Sequence, residues 1–196
     1  MQTLSRKSQL TIGAILALLM MLTRTDHFGS IASLPDASLA VFFLVGFYLQ
    51  PAWLFALFLG LAGAIDYVAI RFAGVSNWCV SPAYFFLIPT YGVMWYAGHW
   101  YASRHSHRFW TLMRLAGALL VSTISAFLLS DGSFYLLSGR FGSWQATAYA
   151  ARVLHYLPPY AGYTFLYVLF AAAMHVLIIT LRHIRTRAAG SEPGAF

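Results

Sequence analysis

The chain has 196 residues, of which 60% are hydrophobic and only 9% charged. That balance excludes a water-exposed globular domain and identifies an integral membrane protein. The net charge of +7 then reads as a topology signal, and no nucleic-acid partner is needed to explain it.

A hydrocarbon core of roughly 30 Å needs about twenty apolar residues in a helix, and windows of that kind give six candidate spans: 10–23, 37–49, 52–72, 82–101, 110–129 and 160–181. The expected fold is a single all-α domain, 1–196, built as a bundle of six transmembrane helices. The first apolar run follows Arg6-Lys7 with no cleavage pattern after it, so it is expected to remain as a helix. Small residues recur at spacing four in Gly13-xxx-Ala17 of the first span and Gly60-xxx-Ala64 of the third, which predicts close helix approach there.

Six spans place both termini on one side. With the N-terminus cytoplasmic, the inner segments hold Arg6, Lys7, Arg104, Arg108, Arg182, Arg185 and Arg187, and the outer loops hold Arg24, Arg71, Arg140 and Arg152. This excess of inner basic residues predicts both termini inside. The last outer connection, 131–159, is long and rich in aromatics, namely Phe134, Tyr135, Phe141, Trp144, Tyr149 and Tyr156. It is expected to form a lid, with a short helix over 145–157 that ends at Pro158-Pro159. The alternative is an amphipathic helix lying in the headgroups.

This topology sends four unusual side chains to the outer side: His27, Asp66, Cys79 and Tyr84. Asp66 lies inside the third span, about 9 Å below its outer end at 1.5 Å per residue. A carboxylate at that depth faces a cavity or a partner, because it costs about 2.5 to 3.5 kcal/mol to insert. Its bland readings are a buried hydrogen bond to a nearby tyrosine or serine, or an ion pair with Arg71. Cys79 is the single cysteine, so it is a ligand, a nucleophile or a packing atom and never half of an intramolecular disulfide. It lies in Asn77-Trp-Cys-Val-Ser-Pro82, two residues before an expected N-cap at Ser81 with proline at the first helical position. Helix-terminal N–H groups favour a thiolate there. Tyr84 follows in the first turn, and His27 follows the first span in Thr25-Asp-His-Phe-Gly29. A loop histidine without a role and a tyrosine of the interfacial belt are their bland readings.

His99, His105 and His107 gather at the inner end of the fourth span, where Arg104-His-Ser-His-Arg108 serves equally as a metal site or a basic turn. His175 in the sixth span reads as a packed helix residue. The chain carries no Walker-type phosphate loop, no HExxH and no GxSxG, so it does not hydrolyse ATP by itself.

Taken together, six spans in this length, the basic N-terminus, Asp66, the cysteine loop 77–82, Tyr84 and His27 resemble the BtuM family. Proteins of that family resemble the substrate-binding S-components of energy-coupling factor (ECF) vitamin transporters, and the resemblance covers the whole chain. It implies cobalamin as the bound substrate, taken from the outer face of a bacterial inner membrane. It also implies the Cys79 sulfur as the axial ligand of cobalt, with cysteine-assisted decyanation of cyanocobalamin. His27, Asp66 and Tyr84 would line the pocket or hydrogen-bond the ligand, with Asp66 orienting the thiolate or taking its proton. S-components that share an energising module commonly carry AxxxA on the first span, and Gly13-xxx-Ala17 departs from that. Docking to a coupling subunit with two ATPases and solitary transport therefore both stay open. The competing readings are a haem- or metal-binding membrane redox protein and a ligand-free structural membrane protein.

Overall fold

The computed structural model describes residues 5–24, 34–49, 51–78, 80–104 and 110–189. His27, Cys79, His105 and His107 lie outside the described residues. Every regular element among the described residues is helical: α1 (Arg6–Arg24), α2 (Ser38–Tyr48), α3 (Ala52–Phe72), a 3-10 turn (Pro82–Phe86), α4 (Leu87–Arg104), α5 (Trp110–Leu137) and α6 (Ala146–Ala189). A helical bundle satisfies backbone polar groups internally, which is what an apolar surrounding demands. Among the described residues, three stretches are long and apolar enough to cross a membrane: Ala52–Phe72, Trp110–Leu137 and Ala146–Leu181. The third expected span coincides with α3, whereas α5 runs eight residues past the expected end at 129.

Helix α2 occupies the middle. Its residues from Ser38 to Phe47 are all buried, and it packs against α1, α3, α4 and α6. At 11 residues it extends only about 16 Å, so its apolar character serves a protein core more than a lipid contact. Phe42 stacks on Tyr91 with ring centroids 4.2 Å apart and meets Phe55 edge-on at 5.7 Å. Phe47 joins it to Tyr48 and Tyr101 near the other end.

The tight crossing is between α2 and α4, not where the sequence spacing put it. A Cβ on Gly46 would run into the Trp95 carbonyl oxygen, and a Cβ on Gly98 would run into the Phe43 carbonyl oxygen. The two glycines lie on facing helices and each leaves room for the other's backbone. Gly13 would meet only the Leu49 side chain, at an ordinary 3.7 Å, and Gly60 has nothing within 4 Å. Small residues permit an approach, and the helix rotation decides whether it is used.

The expected lid over 131–159 is corrected. Residues 131–137 belong to α5, residues 146–159 belong to α6, and only 138–145 connect them. Helix α6 continues through Pro158 and Pro159, so no separate short helix ends there. Proline removes the N–H bonds that would reach the carbonyls of Leu154 and His155, a defect that apolar helices tolerate where neighbouring groups compensate. The 44 residues of α6 correspond to about 66 Å of helix, roughly twice a hydrocarbon core.

Candidate functional site

The polar side chains converge at the end of the bundle where α1 and α3 finish and α2 and α4 begin. Arg24 ends α1 and is buried, with 7% of its side chain exposed against 22% for Asp66. Its Nε donates to Asp66 Oδ1 at 2.6 Å and its Nη2 to Asp66 Oδ2 at 2.7 Å. This is the two-point pairing of a planar guanidinium with a carboxylate. Arg24 Nη1 donates to Ser38 Oγ and to Tyr91 Oη, both at 2.7 Å. Four hydrogen bonds thus place one cation among α2, α3 and α4.

Tyr84 closes the group. Its hydroxyl, carried by the 3-10 turn, donates to Asp66 Oδ2 at 2.6 Å. Asp66 therefore accepts three hydrogen bonds and bridges α1 to the segment that follows Cys79. Asp36 extends the network, its Oδ1 accepting from the Ser38 amide at 2.9 Å and the Ser38 hydroxyl at 2.6 Å. Thr23 Oγ1 donates to the Leu19 carbonyl at 2.9 Å and accepts from the Ala37 amide at 3.2 Å, tying the end of α1 to the start of α2. Since buried charge is tolerated only when paired and hydrogen-bonded, this network also fixes the register of these helices.

Of the bland readings of Asp66, the hydrogen bond to a tyrosine is present, with Tyr84, while the ion pair is made with Arg24 and not with Arg71. By sequence alone, Arg24 counts only as an outer-loop charge. Its signal was available in the scarcity of acids, five in the chain against twelve Lys and Arg, because an aspartate within an apolar run needs a cation from another helix end at similar depth.

The segment before Tyr84 carries Cys79. Helix α3 closes with Ala73 and Val75 amides both donating to the Ala69 carbonyl, at 3.1 and 3.2 Å, with Gly74 at φ +69°. That positive φ suits glycine, which has no Cβ to clash. The chain then turns, Val80 N donating to Asn77 O at 2.9 Å. Ser81 is extended and Pro82 starts the 3-10 turn, as the spacing predicts, but the Ser81 hydroxyl makes no cap bond and is buried without a partner among the described residues. The Tyr84 amide donates to the Ser81 carbonyl at 2.9 Å.

No family model matches the chain, and no curated protein does.

A second ion pair lies where α5 ends and α6 begins. Arg152 Nε and Nη2 both approach Asp131 Oδ1, at 2.8 and 2.7 Å. Asp131 Oδ2 is buried without a partner among the described residues. The guanidinium carbon of Arg152 lies 5.1 Å from the Phe141 ring centre and 4.8 Å from that of Tyr156. Tyr135 stacks on Phe141 at 4.7 Å and meets Trp144 edge-on at 5.4 Å. These aromatics, expected in a lid, instead pack the short connection onto two helix ends.

The histidines divide. His175 pairs through Nδ1 with the Tyr48 hydroxyl at 3.1 Å, in keeping with a packed helix residue. His99 is exposed and stacks on Trp95 at 5.5 Å. Among the described residues, no group of three His, Cys, Asp or Glu could hold a metal ion.

Proposed function

We propose that this membrane protein binds cobalamin at the end of the bundle marked by Arg24, Asp66 and Tyr84 and delivers it across a bacterial inner membrane, with both termini cytoplasmic. The observation that best supports this reading is the placement of the polar network. In a chain with so few charges, it joins the third helix to the residues directly after the Cys79 turn through one 2.6 Å bond, Tyr84 to Asp66. The site would thus have a rigid wall beside a thiol, and the thiol would reach the substrate's cobalt from a segment anchored on both sides.

Sulfur is a good donor to a borderline transition metal, and a strong axial donor weakens the bond on the opposite face. Cyanide would leave cyanocobalamin with the electron pair of that bond. In this reading Asp66 holds Arg24 and Tyr84 in place. A role as proton acceptor for the thiol fits less well, since both its oxygens already accept hydrogen bonds. His27 remains a proposed pocket residue. Transport alone and transport with an ECF coupling subunit both agree with this assignment.

The saturation of Asp66 favours one competing reading, that of a structural membrane protein whose network serves packing alone. The visible spectrum separates the two. Detergent-purified protein is incubated with cyanocobalamin, free ligand is removed, and wild type is compared with Cys79→Ala. Retained corrin with bands displaced only when Cys79 is present is the expected result. If neither protein retains corrin, the cobalamin reading is wrong and the structural one stands.

A further inference from the structure

A contact between two loops is left unused by the site described so far. The guanidinium carbon of Arg140, from the connection between α5 and α6, lies 4.2 Å from the centre of the Trp78 ring. Trp78 lies in the turn closed by the Val80 amide on the Asn77 carbonyl and immediately precedes Cys79 in the sequence. Trp78 is 49% exposed with the cation in place, so the contact lies at the surface and is not part of a packed core.

We propose that Arg140 is a positioning residue that clamps the turn at Trp78 to the α5–α6 connection and thereby sets how freely substrate is taken up and released at this end of the bundle. This rests on the cobalamin reading for its substrate but not for its geometry.

The two sides of the contact are anchored differently. On the Arg140 side, Gly139 adopts φ +68° and the Arg140 amide donates to Ser138 Oγ at 3.2 Å. The next residue, Phe141, stacks on Tyr135 at 4.7 Å, and the Arg152 guanidinium carbon lies 5.1 Å from its ring centre. Arg152 is in turn held by Asp131. Arg140 therefore projects from a platform fixed by ring stacking and an ion pair. On the Trp78 side, the turn is held at its base by Val75 and at its exit by Ser81. Its tip is held across the bundle by the Arg140 contact.

A guanidinium over an indole is the strongest of the side-chain cation–π pairings, because the ring face carries negative charge and the planar cation lies flat on it. At an exposed position it shifts an equilibrium about two- to fivefold. That suits a clamp that must open to pass a ligand, whereas an ion pair as strong as Arg24–Asp66 would not release.

The chain's single cysteine reports on this turn. In the ligand-free, detergent-purified full chain, the rate of Cys79 alkylation by N-ethylmaleimide is expected to rise about two- to fivefold in Arg140→Gln and in Trp78→Leu. Arg140→Lys, which keeps a cation, is expected to stay close to wild type. An unchanged or slower rate in both Arg140→Gln and Trp78→Leu, or a rise in Arg140→Lys equal to that in Arg140→Gln, overturns the clamp. Dissociation of bound cyanocobalamin is expected to quicken by a similar factor. If no variant, wild type included, binds cyanocobalamin, the cobalamin reading fails while the alkylation rates still decide the clamp.

Discussion

Removing Asp66 should damage this protein more than removing Arg24, although the two form one pair. Asp66→Leu leaves a guanidinium that is 7% exposed, keeps two of its four bonds and cannot discharge, because arginine does not lose its proton in proteins. Breaking a buried pair in that sense costs about 3 to 5 kcal/mol. The 22% exposure of the Asp66 side chain argues for the lower end, about 3 kcal/mol, since solvent screens part of the interaction. Arg24→Met leaves a carboxylate that keeps the Tyr84 bond and can take up a proton, so about 2 kcal/mol is expected. The double variant Arg24→Met/Asp66→Leu removes both charges and should lose less than the sum of the single variants, leaving a coupling of about 2 kcal/mol. For a chain of this size each kcal/mol moves the midpoint by about 2 to 4 °C. Thermal unfolding in detergent, followed by tryptophan fluorescence, should place Asp66→Leu about 10 °C below wild type. A strictly additive double variant, or a larger loss in Arg24→Met than in Asp66→Leu, would refute the argument that an unpaired guanidinium dominates the cost.

The glycine crossing gives a second test, because Gly98→Ala pushes a methyl group into the Phe43 carbonyl. It should destabilise the bundle by about 1 to 3 kcal/mol, whereas Gly60→Ala, which meets nothing within 4 Å, should be neutral or slightly stabilising in the same melt. Tyr84→Phe deletes one hydrogen bond to a charged acceptor and should cost about 1.5 kcal/mol; a melt indistinguishable from wild type would show that the 2.6 Å bond contributes nothing net. Tyr48→Phe removes the His175 partner and should lower stability by about 1 kcal/mol, again read as a shift in the melting midpoint.

Hydropathy alone determined that this is a helical membrane protein and where most helices lie. It located α3 to the residue, Ala52–Phe72, because the requirement for about twenty apolar residues is local and the polar breaks at Gln50-Pro51 and Gly74 are sharp. It also singled out Asp66 as a residue in need of a partner, since the insertion cost of a carboxylate does not depend on the fold. Which side chain would meet it depended on the rotation of α1 and α3 about their axes, and packing among helices sets that rotation. The same freedom put the close approach at Gly46 and Gly98 rather than at Gly13 or Gly60. Pro158-Pro159 read as a stop because in water two missing N–H bonds end a helix, yet α6 runs through them, where apolar surroundings leave the backbone few alternatives to the helix. The contacts of Arg24 with Asp66 and of Arg140 with Trp78 span 42 and 62 positions of sequence, and only the folded bundle brings such residues together.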